Sequence, residues 1–234
     1  MSRNKSDKSP ISIKMIVVGS VNVGKTSLLT RYATGNFQEV TKSTSNASFI
    51  TKEKIVDKVK YEIKLWDTAG QEKSTSLTKI FTKDAKIAIL VYSIDDEKSF
   101  IELKKWLNIV KETNDDNLIL GVAANKADLY KNAVITDERG KKYAEEIGAV
   151  WKSTSSLLDD CGIDELVDIL FKKYLESDPR TMSLSNTTII ITPGTENQKI
   201  KGGCCSGKNK AIESELKKKA NKPSQKEVEE DDDF

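Results

Sequence analysis

The chain predicts an α/β fold, a mostly parallel central sheet with helices on both faces, and three observations lead there. Short apolar, β-branched runs alternate with helical segments; those segments carry apolar residues at three- and four-residue intervals; and the polar motifs fall where the runs end. Strands alternating with helices imply right-handed crossovers, which gather ligands at the carboxyl ends of the strands.

Taken in order, the first strand is expected over residues 11–18 and a helix over 25–33. Strands follow at 59–66 and 87–93, then a helix over 97–112 whose Phe100, Leu103, Leu107 and Val110 form one stripe. A strand at 118–124, a helix at 137–147 with Asp137 as its N-cap, a strand at 149–152 and a helix at 163–175 complete the pattern. The expected organisation is a flexible segment over 1–10, one globular domain over 11–177 and a disordered tail over 178–234. Past Ser177 the composition turns to Ser, Thr, Asn, Gly and Lys, and the chain closes on the acidic run 227–234. Too little apolar area remains there to offset the entropy of ordering. Ile189, Ile190 and Ile191 are the exception, read either as a chance apolar patch or as a short docking strand.

Composition removes whole classes of chemistry. Histidine is absent from the 234 residues, which excludes Ser-His-Asp and Cys-His catalysis and His-ligated metals. Lys and Arg number 38 against 36 Asp and Glu, a balance without the basic footprint of a nucleic-acid binder. Three cysteines, Cys161, Cys204 and Cys205, are too few and too clustered for a disulfide framework, so a reducing compartment is expected. The charged opening over 1–9 lacks an apolar signal core, and the run 87–92 is too short to span a bilayer. These features together predict a cytoplasmic protein.

Three motifs carry the chemistry. Gly19-Ser20-Val21-Asn22-Val23-Gly24-Lys25-Thr26 fits the phosphate-cradling pattern Gly-x4-Gly-Lys-[Ser/Thr], preceded by a strand and opening a helix. Its end glycines let successive N–H groups point at phosphates, and the helix dipole adds partial positive charge. Lys25 is the candidate bridge between β- and γ-phosphates and Thr26 the candidate Mg²⁺ ligand; Ser27 completes the contacting set. The second motif, Asn125-Lys126-Ala-Asp128, ends the run 118–124. The Asp128 carboxylate is able to accept from both guanine N1–H and the exocyclic amine, whereas adenine would leave it desolvated and unpaired. Lys126 would lay its methylene stem along the base. The third, Asp67-Thr-Ala-Gly70-Gln71, follows a strand: Asp67 to hold Mg²⁺ through water, Gly70 to donate its N–H to the γ-phosphate, Gln71 to orient the attacking water.

In this order and spacing the motifs resemble the Ras superfamily of small GTPases, phosphate-loop proteins built on a small G-domain. The stretches at 66–72, 77–85 and 90–100, with Gly202-Gly-Cys204-Cys205, are similar to its Rab branch, the vesicle-traffic GTPases. The resemblance implies that Phe37 stacks on guanine, that Thr44 is the Mg²⁺ ligand from the first switch, and that Ser155 and Ser156 form the last guanine-contacting loop. It implies that Phe49, Trp66 and Phe81 face effectors, although core packing alone would also account for these aromatics. Implied partners are GTP and GDP, an exchange factor, an activating protein, effectors and a dissociation inhibitor. No nucleic acid is expected, and the chain is expected to be a monomer working at the cytosolic face of an endomembrane. The γ-phosphate would hold Thr44 and Gly70, ordering both switch loops until hydrolysis releases them.

Several positions depart from that pattern: Asn46 and Ser48 near Thr44, Lys73-Ser74 after the third motif, Leu157 and the stretch 158–161 near the last loop, Val21, and the chain that follows the cysteine pair. Val21 stands where the family commonly has a small residue, and its branched side chain is expected to crowd Gln71 and an incoming arginine, slowing hydrolysis. The alternative is a loop that shifts slightly and leaves the rate normal. Cys204 and Cys205 resemble a prenylated pair, and two lipids would give stable anchoring. Residues 206–234 follow them, however, so three readings stand: a cleaved extension, another lipidation, or no anchor.

Overall fold

A computed structural model describes residues 9–37, 48–68, 75–115, 117–160 and 162–178, all within the unit Met1–Thr192. The elements run β1 (Ile11–Val18), α1 (Lys25–Thr34), β2 (Ser48–Val56), β3 (Val59–Asp67), α2 (Thr75–Thr82), β4 (Ile87–Ser93), α3 (Glu97–Ile101), α4 (Leu103–Glu112), β5 (Ile119–Asn125), α5 (Asp137–Glu146), β6 (Val150–Ser153) and α6 (Ile163–Ser177). The strands form one sheet in the order β2-β3-β1-β4-β5-β6, parallel at every pair except β2 with β3.

The centre of the sheet is apolar because helices cover both faces. All seven residues of β4 are buried, the signature of a strand with no solvent side. On one face Leu28, Leu29 and Tyr32 of α1 and Leu166, Val167, Leu170 and Phe171 of α6 pack on Ile13, Met15, Ile63, Ile87 and Ile89. On the other, Phe100, Leu103, Trp106 and Val110 pack with Ala144 of α5 on Ile16, Ala88, Leu90 and Val122. Each large apolar side chain so buried contributes about 1.5–3 kcal/mol relative to exposure.

The observed order puts β1 between β3 and β4, so the chain winds away from β1 in both directions and leaves a crevice at its carboxyl end. Register aligns the strand ends there: Val17 pairs with Asp67, Val18 with Leu90, Ser93 with Asn125 and Ala124 with Ser153.

Four features differ from expectation. Strand β2 was not predicted; it is an edge strand with Lys and Glu through its middle, and charges on an edge guard against unwanted pairing while erasing the apolar alternation. Helix α2 was not predicted either, being only eight residues long. The single helix expected over 97–112 is two that meet at Glu102, which keeps helical dihedrals (φ −69°, ψ −12°) and caps α3 while starting α4. Finally, the N-cap of α5 is Thr136, not Asp137: Thr136 is extended and its hydroxyl accepts the Arg139 N–H at 3.3 Å. Asp137 is instead the first helical residue, where its negative charge complements the helix dipole. Among the described residues no helix is long and apolar enough to cross a membrane. The expected tail beyond Asp178, with the Ile189–191 patch, Cys204 and Cys205, lies outside them, as do residues 1–8 and Cys161.

Candidate functional site

The phosphate loop leaves β1 with a backbone that only glycine tolerates at its ends. Gly19 has φ 152°, and a Cβ there would stand 2.2 Å from the Val91 carbonyl oxygen. Gly24 has φ 89°, and its Cβ would fall 2.6 Å from Asn125 Nδ2. Between them Asn22 takes φ 63°, which its short amide side chain tolerates. Lys25, 5% exposed, folds back over the loop and its Nζ donates to the carbonyls of Gly19 at 2.8 Å and Ser20 at 2.9 Å. Val23 is fully buried beneath, whereas Val21 remains 39% exposed. Ser20, nearly buried, donates its hydroxyl to the Glu102 carboxylate.

At the second residue of α1, Thr26 Oγ1 donates to Asp67 Oδ2 at 2.7 Å, joining the start of the helix to the end of β3. A hydroxyl and a carboxylate are hard oxygen donors, the chemistry that suits Mg²⁺ shared with phosphate oxygens and water. The residues present therefore fit that ion. Thr68 Oγ1 donates to the Val17 carbonyl at 2.8 Å and pins the exit of β3 against β1.

The second motif is bound directly to the first. Asn125 Nδ2 donates to the Val23 carbonyl at 2.7 Å, and Thr154 Oγ1 donates to Asn125 Oδ1 at 3.2 Å. Asn125 and Thr154 are each 1% exposed, so these bonds are made away from water, where they are strongest. Lys126 turns the chain at φ 62°, and the turn is held by the Ala127 N–H to Thr154 carbonyl bond at 3.0 Å and an ion pair of Lys126 with Asp95 at 3.9 Å. Ser155, also 1% exposed, donates its hydroxyl to Asp128 Oδ1 and accepts the Leu157 N–H at 3.1 Å. Arg31 closes the far side of this loop on Asp159 at 2.9 Å.

The aromatic set lies on β2, β3 and α2. Phe49 stands directly opposite Trp66 across the antiparallel pair, with ring centroids 4.9 Å apart, and Phe81 follows at 6.4 Å from Trp66. Phe49 is 50% exposed. Lys14 Nζ lies 5.0 Å from the Trp66 ring; its partial burial lowers its pKa below the usual lysine value, against an opposing pull from Asp84.

Of the residues singled out in the sequence, the structure brings Gly19 to Thr26, Asp67, Asn125, Lys126, Asp128 and Ser155 to the carboxyl ends of the strands. Ser27 and Ser156 are partly buried beside them, and Phe37, 41% exposed, follows α1. Thr44, Gly70 and Gln71 lie outside the described residues. Sequence reasoning missed Glu102, Thr154, Asp95 and Arg31, each of which bonds to or braces the site from elsewhere in the chain. Distances of 82 residues for Glu102 to Ser20 and 128 for Arg31 to Asp159 leave no local pattern to find.

Comparison with known proteins agrees with this geometry. The model of the Ras family matches residues 14–176. Among curated proteins, the chain is 34% identical over 206 residues to Ras-related protein Rab-21 of Bos taurus, covering 83% of this chain and 92% of that one. It is 34% identical to the Rab-21 of Geodia cydonium, over 74% of this chain and 75% of that one. It is equally 34% identical to Ras-related protein RHN1 of Nicotiana plumbaginifolia, over 64% of this chain and 76% of that one.

Proposed function

The chain belongs to the Ras family and is a Rab-like GTPase; from that premise we propose that it works as a nucleotide-dependent switch in vesicle and membrane traffic. Asp128, held by the buried Ser155 hydroxyl at the rim of a site whose other end is a phosphate loop, is the observation that carries the choice of guanine. An anionic carboxylate fixed by one hydrogen bond keeps its remaining lone pairs for a base that offers two N–H donors. GTP and GDP are the nucleotides, and Thr26, Thr44 and, through a water, Asp67 would hold Mg²⁺, which would neutralise phosphate charge.

The roles divide along the site. Backbone N–H groups from Gly19 through Lys25 receive the phosphates, and the Lys25 ammonium neutralises charge that develops during transfer. Gln71 orients the attacking water, while Thr44 and Gly70 sense the γ-phosphate and order the two switch loops. In that state the aromatic surface of Phe49, Trp66 and Phe81 receives effectors. Phe37 and the Lys126 stem flank the base, and Ser156 lines its loop with Ser155. An exchange factor, an activating protein and a dissociation inhibitor are the regulators, acting on a monomer that reaches the cytosolic face of an endomembrane if Cys204 and Cys205 are lipidated. The domain limits proposed are 1–10, 11–177 and 178–234.

A second reading is favoured by Val21, whose branched side chain stays 39% exposed instead of entering the core. A branched side chain there would crowd Gln71 and an incoming arginine, so the protein would remain loaded with GTP and act as a long-lived effector-binding module. Single-turnover GTP hydrolysis, measured beside Val21→Gly with and without an activating protein, separates the two. A rise of tenfold or more on substitution supports the slow form; equal rates leave the cycling switch. The guanine assignment itself fails if excess ATP displaces bound GTP.

A further inference from the structure

We propose that Glu102 is a positioning residue for the phosphate loop, holding it in place through the Ser20 hydroxyl. Ser20 is 8% exposed and donates to Glu102 Oε2, a charge-assisted bond between a buried hydroxyl and a half-buried carboxylate that also pairs with Lys98 at 4.0 Å. Glu102 is itself a fixed post. Its N–H bonds back to the Lys98 carbonyl at 3.0 Å, and its carbonyl accepts the N–H groups of Lys105 at 3.0 Å and Trp106 at 3.2 Å. The residues that follow anchor the post in the core: Leu103 is fully buried and Trp106 is 2% exposed.

The loop needs such an anchor on this side. Gly19 and Gly24 fix its ends, and Asn125 fixes Val23, but the span from Ser20 to Asn22 projects from the sheet, with Val21 and Asn22 exposed. Ser20 is the residue of that span whose side chain reaches a second element of the fold. Its backbone carbonyl also accepts the Lys25 ammonium at 2.9 Å, so a shift of Ser20 moves an acceptor of the phosphate-binding lysine. Glu102 thereby governs both the loop that cradles the phosphates and the place from which Val21 projects. It never touches the nucleotide.

The inference rests on the nucleotide reading above, and one experiment distinguishes their failures. The full chain is loaded with N-methylanthraniloyl-GDP in Mg²⁺ and its release is followed after a chase of excess GDP. Ser20→Ala and Glu102→Ala are expected to release about five- to tenfold faster, in line with one lost charge-assisted hydrogen bond. The double substitution should release no faster than either single one, because both remove the same bond. Glu102→Gln keeps an acceptor oxygen and should stay within about twofold of the unaltered chain, a rescue that general loosening of the fold would not give. Additive effects, unchanged release, or a Glu102→Gln variant as fast as Glu102→Ala overturns the inference. Failure of the unaltered chain to retain the labelled GDP overturns the nucleotide reading as well.

Discussion

At the base end of the site, Asn125, Thr154, Ser155 and Asp128 are side chains bonded to one another or to backbone nearby, and three of the four are 1% exposed. At the phosphate end, Gly19 and Gly24 shape the loop by backbone conformation, and its middle residues Val21 and Asn22 are exposed. The difference follows from what each end must recognise. A purine is distinguished by where its donors and acceptors lie, which requires side chains already fixed in place. Phosphates are alike on every nucleotide, so N–H groups and a cation suffice, and glycine allows the close approach. Discrimination is thus built into one end and charge neutralisation into the other, joined by the bond from Asn125 to the Val23 carbonyl.

The largest effect is expected where the two ends meet. Gly24→Ala forces a Cβ to within 2.6 Å of Asn125 Nδ2 at φ 89°. Strain and overpacking together should cost about 2–4 kcal/mol, read as a lowered thermal midpoint and loss of bound nucleotide. Next, Lys25→Ala removes the cation of the phosphate end alone. Affinity for GDP and GTP should fall about a hundredfold, with the preference for guanine over adenine kept. Ser155→Ala acts on the base end alone: it releases Asp128 and should weaken guanine nucleotides about tenfold while leaving phosphate binding intact. If Lys25→Ala altered base preference, or Ser155→Ala did not, the division between the ends would be wrong.

The smallest effect serves as a reference away from both ends. Glu97 is held below the usual carboxylate range by its hydrogen bonds from Arg139, at 2.6 and 2.8 Å. A depressed folded-state pKa contributes stability above the ordinary glutamate value of 4.5, and that contribution is lost as the pH falls through the folded value. Glu97→Gln should therefore flatten the acid limb of a stability-against-pH curve slightly and leave nucleotide affinity unchanged at neutral pH. Comparing pH-dependent thermal midpoints of the two chains measures it.

Much of this division was legible in the sequence because both ends are written in short contiguous motifs at the ends of apolar strands. Gly19 to Thr26 and Asn125 to Asp128 each carry their chemistry within eight residues, and β1, β4 and β5 announce themselves as buried apolar runs. What escaped notice depends on distant contacts or on exposure. Glu102 acquires its role only when α4 packs its Trp106 on the sheet, and Thr154 only when β6 pairs beside β5. Strand β2 hides because an edge position lets Lys52, Glu53 and Lys54 face solvent or pair with neighbours, so its pattern is not apolar. The break at Glu102 and the cap at Thr136 are single-residue choices that helical periodicity does not resolve.

The most direct test compares GTP and ATP for binding to the full chain, and repeats the comparison with Asp128→Ala. The account predicts a preference for GTP of about a hundredfold or more, set by two hydrogen bonds to a charged acceptor, collapsing to near parity in the variant. A preference of the same size in both proteins would contradict it.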